Sequence, residues 1–293
     1  MKSLTKSARI ERIASGEARN LLQRDYKKYG KVVTGLYIGG PLPTFSLARA
    51  AYFFARHIDD ILDEQDVSDD SGLGQQYKLP RDLSSLLVSR HHIAQLGAYS
   101  LNELNQRKHA GDNPSDDMQR LLNAMYFDYH RAKEGRTLTI AELDQYFNDT
   151  MRATNLMLIG VRSRYRQDAD FPDFASAIGA TYSARDMAID WKRGICNIPS
   201  EVLSSDFPSQ PLALELQVVL DAPIVHEWYL EQLSNAKNTF GDVLQRTPSI
   251  ADYTFGRGPK ASRDIGGLIV NAFASGGLRV AEEHLRSFSV SSS

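Results

Sequence analysis

Apolar residues recur along most of this chain at spacings of three and four, the signature of helices that bury one face. From Ser7 to Lys28 the apolar set is Ala8, Ile10, Ile13, Ala14, Ala18, Leu21 and Leu22, with Gly16 in its middle. Pro41 and Pro43 then punctuate, and Thr44 or Ser46 can cap a strongly apolar helix from Leu47 to Glu64. The stretch from Asp66 to Pro80 is acidic and rich in Ser, Gly and Gln, too poor in apolar surface to offset the entropy of ordering, and reads as a mobile loop. Periodicity returns from Leu83 to Arg107, breaks at the turn cluster Ala110 to Pro114, resumes to Lys133 and resumes again from Ile140 to Arg164. Pro172 opens a helix ending near Arg193. Leu212 to Leu220, Val225 to Leu244 and Ala261 to Leu285 follow, the last weakened by Gly266, Gly267, Gly276 and Gly277. Residues 287–293 read as a frayed, disordered tail.

Alternating runs of Val, Ile and Thr are missing and the gaps are short. The pattern therefore predicts an all-α protein, a single-domain helical bundle over residues 1–293. Thr247 to Lys260 is the second long irregular stretch, of a length that suits a lid or a disordered segment.

Composition narrows the function. With 42% hydrophobic and 24% charged residues over 293 positions, the chain has an ordinary globular composition. Its net charge of −2 supplies no positive field for a nucleic acid. No apolar run reaches the roughly 18 residues of a spanning helix, and the polar start lacks the apolar centre of a secretory signal, so a cytoplasmic protein with no integral membrane segment is expected. A single cysteine, Cys196, excludes an internal disulfide and a Cys-rich zinc site.

The chain has no GxxxxGK[ST], GxGxxG, HExxH or GxSxG motif, which removes several enzyme classes. It does carry Asp59-x-x-x-Asp63 and Asp186-x-x-x-Asp190 within predicted helices. Residues four apart share a helix face, so each pair points one way and repels itself unless a cation intervenes. Mg²⁺ suits such a pair, since it takes one or two carboxylates, keeps several waters and completes its octahedron with phosphate oxygens. Two pairs could hold Mg²⁺ around a diphosphate and stabilise the charge it carries away, leaving a carbocation. Chance alone places about two Asp-x-x-x-Asp pairs in such a composition, and four occur; Asp66 with Asp70 and Asp112 with Asp116 fall in loop-like sequence. The flanks distinguish the other two. Ala50-Ala-Tyr-Phe-Phe-Ala55 is too apolar for a solvated acidic face, and Arg185, Lys192 and Arg193 offer counter-charge beside the second pair.

At these residues the sequence resembles the squalene/phytoene synthase family of all-α, Mg²⁺-dependent isoprenoid enzymes. Ala55-Arg-His-Ile-Asp-Asp-Ile-Leu-Asp63 is similar to the family's first aspartate-rich motif. Arg185-Asp-x-x-x-Asp190, with Arg193-Gly-x-x-x-Ile-Pro199 and Glu201-Val-Leu203, is similar to the second and its downstream elements, and Asp128 and Glu142-Leu-x-x-Tyr146 fall where the family has similar residues. The resemblance implies an isoprenoid-synthase-like bundle with a central cavity. It also implies Asp59, Asp63, Asp186 and Asp190 as catalytic Mg²⁺ ligands, and Lys31, Arg56, Arg185, Lys192 and Arg193 as diphosphate contacts. Phe53, Phe54, Tyr146 and Phe147 could face a passing cation or simply pack the core, and His57 reads as structural.

Departures from the family bear on the substrate. Tyr29-Gly-Lys-Val-Val33 stands where the family has a His/Ser-x-Ser-Phe diphosphate element, and Thr150-Met-Arg-Ala-Thr-Asn155 where it has small apolar residues. Tyr182 replaces an Asn, Gly179 a Gln and Asn197 a Tyr. One diphosphate cradle and one apolar channel thus look reduced. The expected activity is transfer of a prenyl group from an allylic isoprenyl diphosphate to a small-molecule acceptor such as an aromatic ring, as in the branch of phytoene-synthase-like prenyltransferases acting on carbazoles. Tyr29, Arg152, Asn155 and Tyr182 would contact that acceptor. Head-to-head squalene or phytoene synthesis, terpene cyclisation and a non-catalytic binding role are the alternatives.

Overall fold

The computed structural model describes residues 2–24, 26, 37, 43–64, 80–203, 207, 211–248 and 265–290. Among them every regular element is a helix, so the protein is all-α as the periodicity predicts. None of these helices is long and apolar enough to cross a membrane. By contact the chain divides into two units, residues 1–126 with 159–162, and residues 127–158 with 163–293.

In the first unit, α1 (Lys2–Arg24), α2 (Pro43–Glu64), α3 (Leu83–Val88) and α4 (His92–Arg107) pack together, joined by the first half of α5 (Pro114–Glu134). Leu47, Ala50, Phe53, Phe54, Ile58 and Leu62 recur at helical spacing on α2 and are all buried, the amphipathic face the sequence shows. Arg49 is buried among them and reaches α1, its Nε and Nη2 donating to Glu11 at 3.2 and 2.8 Å. Leu83 to Arg107 is two helices rather than one. Asp82 and Ser85 form a reciprocal capping box that starts α3, and Ser89 ends it in extended backbone. Asp116 lies in the first turn of α5, not in a loop, where a carboxylate complements the helix dipole.

The second unit contains the rest of α5, α6 (Ile140–Thr150), α7 (Arg152–Gly160), α8 (Gln167–Asp170), α9 (Phe174–Lys192), α10 (Ser200–Leu203), α11 (Leu216–Leu220), α12 (Pro223–Arg246) and α13 (Ile265–Val290). α9 is central, in contact with α6, α12 and α13, and buries Phe174, Ala175, Ala177, Ile178, Ala180, Thr181 and Ala184. Its small side chains let neighbours come close. A Cβ at Gly179 would lie 2.1 Å from the Phe147 ring of α6. Ile140 to Arg164 is likewise two helices: the Thr150 hydroxyl donates to the Tyr146 and Phe147 carbonyls at 3.1 and 2.9 Å, competing with the backbone ladder just before the break at Met151. α13 continues through its glycines and into the expected tail as far as Val290, because Phe288 stacks on the buried Tyr229 at 5.7 Å.

Gly179→Ala should destabilise the protein by about 1–3 kcal/mol, the usual cost of overpacking. Phe147→Leu in the same chain should recover part of the loss in a thermal melt; equal melting temperatures for wild type and Gly179→Ala would contradict the close α6–α9 contact.

Candidate carboxylate site

The second aspartate pair stands at the end of α9. Asp186 and Asp190 are one turn apart on that helix, and Asp190 is half-buried. Asp128, from the last turns of α5, is a third carboxylate close enough to act on Asp190. Burial first, then the negative charges of Asp186 and Asp128, push the Asp190 carboxyl up to about 7, against partial relief from Arg131 and Arg193.

Hydrogen bonds hold this crowd in place. Arg131, 1% exposed, donates from Nε to Asp128 Oδ1 at 2.7 Å and from Nη2 to Asn197 Oδ1 at 2.5 Å. Asn197 Nδ2 donates to Asp190 Oδ2 at 3.3 Å, and the Tyr146 hydroxyl donates to Asp128 Oδ2. The guanidinium also stacks over the Tyr146 ring at 4.6 Å. On the exposed side, Arg185 donates to both oxygens of Asp186, at 2.8 and 2.5 Å, and lies 4.4 Å over the Tyr182 ring.

The loop after α9 explains how Asn197 reaches α5. Gly194 has φ +86, a left-handed conformation that favours glycine, and a Cβ there would sit 2.5 Å from the Ala132 carbonyl oxygen. Only a residue without a side chain lets backbone meet backbone at that point. Further on, Ser200 N donates to Leu138 O at 2.8 Å, and the Glu201 carboxylate accepts from Ile140 N at 3.1 and 3.2 Å, tying the loop to the start of α6.

The first pair lies in the other unit, on α2. Asp59 pairs with Arg56 at 2.8 Å, the cation placed by resemblance on diphosphate. The buried neighbour Asp60 is held by both Arg56 and Arg24. The Asp63 side chain, and Tyr29 and Lys31 altogether, lie outside the described residues. Beside the motif, Glu17, Asn20, Leu21, Arg24, Phe53, His57, Asp60 and Ile61 line a cavity of about 230 Å³. Within it Glu17 meets His57 Nδ1 at 2.9 Å, and His92 Nε2 lies 3.6 Å from its other oxygen. Burial alone would raise the Glu17 carboxyl, but the hydrogen bond and charge of His57 outweigh it and hold it below the usual range. His57 thus has a structural partner.

The remaining expected contacts are dispersed. Lys192 and Arg193 are exposed at the end of α9. Arg152 is 8% exposed and donates to Asp168 at 2.6 Å, and Asn155 is half-buried on α7. Phe53, Phe54 and Phe147 are buried in the packing. Sequence reasoning missed Asp60 and Arg131. The doubled Asp59-Asp60 step was a visible signal for the first; for the second, the i, i+3 spacing from Asp128 was the only trace.

The donor set fits Mg²⁺. Among the described residues no group of three or more His, Cys, Asp or Glu side chains is arranged to enclose a metal ion. A half-buried carboxylate pair with a third negative charge nearby instead suits an ion that keeps waters and takes phosphate oxygens.

The squalene/phytoene synthase family model matches residues 48–287, and the chain belongs to that family. Its members are prenyltransferase-type enzymes that use prenyl diphosphates, typically with a divalent metal such as Mg²⁺. No curated protein and no solved structure matches the chain.

Because the Asp190 carboxyl titrates far above an unfolded aspartate, its contribution to stability is greatest below about pH 4 and is lost as pH rises toward about 7. The metal-free protein should melt lower at pH 8 than at pH 5, and Asp190→Asn should narrow that difference. Superimposable melting profiles of the two proteins against pH would contradict the charge crowding.

Proposed function

We propose that this protein is a Mg²⁺-dependent prenyltransferase that ionises an allylic isoprenyl diphosphate and transfers the prenyl cation to a non-isoprenoid acceptor, most simply an aromatic ring. The observation that carries the diphosphate half is the convergence of Asp186, Asp190 and Asp128 beside exposed cations. Asp186 and Asp190, together with Asp59 and Asp63 of the first motif, would hold the metal. When bound, Mg²⁺ supplies positive charge against the developing diphosphate anion. In this reading the two units act as one domain.

The chain's own groups divide the remaining work. Arg185, Lys192 and Arg193 flank the second pair, and Lys31 and Arg56 belong to the first half; each offers positive charge for phosphate oxygens. Arg56, paired with both Asp59 and Asp60, could exchange Asp59 for phosphate oxygens as the metal takes that carboxylate. As the carbon–oxygen bond breaks, the diphosphate leaves with the electron pair. The acceptor ring then supplies the electrons of the new carbon–carbon bond and afterwards loses a proton to solvent.

The acceptor half is supported by Arg152. The buried Arg152, ion-paired to the exposed Asp168, gives polar character to a stretch that family resemblance would fill with small apolar residues. That favours an acceptor with polar atoms over a second prenyl chain, with Tyr29, Asn155 and Tyr182 completing the contacts.

Incubation with Mg²⁺ and allylic diphosphates of ten to twenty carbons, with and without an aromatic acceptor panel, tests this reading. Turnover is expected only with an acceptor. A linear hydrocarbon formed from the diphosphate alone with a nicotinamide reductant would establish head-to-head synthesis instead, and a cyclic product would establish a cyclase.

Asp186→Asn and Asp190→Asn should each lower turnover at least about tenfold, as disturbed metal sites do. Arg152→Ala leaves the largely exposed Asp168 to water, so it should fold. It should raise the acceptor KM much more than the diphosphate KM; equal rises would contradict an acceptor-side role.

A further inference from the structure

Arg131 is the most heavily invested side chain of the carboxylate site, yet it touches no solvent and is not one of the paired aspartates. A guanidinium removed this fully from water is costly unless its donors are matched. Its fork is only partly matched within the protein. Nε serves Asp128 and Nη2 serves Asn197, while Nη1 is buried with no hydrogen-bond partner among the described residues. Satisfying the arginine is therefore not what shapes this arrangement. Its geometry is better understood from what it imposes on its neighbours.

The imposition follows from donor and acceptor inventory. An asparagine amide has one end that accepts and one that donates, and a guanidinium can only donate. Arg131 Nη2 must therefore face Asn197 Oδ1, which turns Nδ2 toward Asp190 Oδ2. A reversed amide would set two donors against each other at Arg131 and two acceptors against each other at Asp190. The same guanidinium anchors Asp128, whose second oxygen is held by Tyr146. Gly194 secures the geometry from the backbone side, seating the loop that bears Asn197 on Ala132, the residue next to Arg131.

We propose that Arg131 is the positioning residue of the carboxylate cluster, acting through Asn197 to orient Asp190 before the divalent cation arrives, a role that rests on Asp186 and Asp190 being the cation's ligands. Arg131 touches neither substrate nor metal in this account. It presets a carboxylate that would otherwise turn away from the like charges of Asp186 and Asp128, so the cation meets a formed site and loses less affinity to ordering it.

Mn²⁺ binding to the full chain without substrate, followed by electron paramagnetic resonance, tests this independently of turnover. Asp190→Asn should weaken Mn²⁺ strongly; wild-type affinity in that variant would overturn the ligand assignment itself. Given that loss, Asn197→Leu and Arg131→Lys should each weaken Mn²⁺ about tenfold or more, the range for groups that orient metal ligands. The double variant should be no weaker than the weaker single one, because both changes break one relay. Unchanged affinity in Asn197→Leu, or a double variant whose loss is the product of the two, would overturn the proposal. Should Arg131→Lys fail to fold, Asn197→Leu decides alone, since it keeps the branching of the side chain at a half-buried loop position, and its thermal melt shows whether the fold is intact.

Discussion

Carboxylates that approach one another away from bulk water repel, and this repulsion organises the second half of the molecule. Asp128, Asp186 and Asp190 come from two helices, and the protein offsets their charge unequally. Asp186 shares its charge with an exposed arginine, Asp128 with a buried one, and Asp190 is left with an amide and a carboxyl pushed toward neutrality. The imbalance would be a defect in a purely structural cluster. On the proposed function, the same imbalance would serve as stored affinity for positive charge.

The first unit solves a similar problem in the opposite way. Among its described acids, Asp59 is paired with Arg56, Asp60 with two arginines, and Glu17 with His57, with His92 nearby. A cation reaching Asp59 must displace an arginine, so charge there is exchanged and not merely gained. The two aspartate motifs look alike in sequence and differ in electrostatic state.

Much of this was legible in the chain. Helical class followed from spacing, because a 3.6-residue period and a two-residue period leave different traces. The first carboxylate pair stood out because it follows the apolar run Ala50–Ala55, and the second because Arg185, Lys192 and Arg193 stand beside it; Asp59 itself is partly exposed. Breaks at Ser89 and Met151 were harder, since they arise from cap and hydroxyl chemistry at single residues inside otherwise continuous periodicity. The persistence of α13 through its glycines depends on what they pack against, Ser163 at Gly266 and Phe240 at Gly277, which no local propensity reports. Arg131 was hidden for the same reason. An arginine near a helix end is ordinarily a surface group, and only the fold shows it enclosed with Asn197, 66 residues away.

Where Glu201 caps the start of α6, the molecule gains a mechanical link. The segment carrying Asn197 and the helix carrying Tyr146 are clasped at Ile140 and Leu138, so neither can drift without dragging the other. Thermal wandering of the loop that carries Asn197 and of the aromatic ring above Arg131 should therefore be correlated, and engineering that loosens this clasp would blur the positions of Asp190 and Asp128 together.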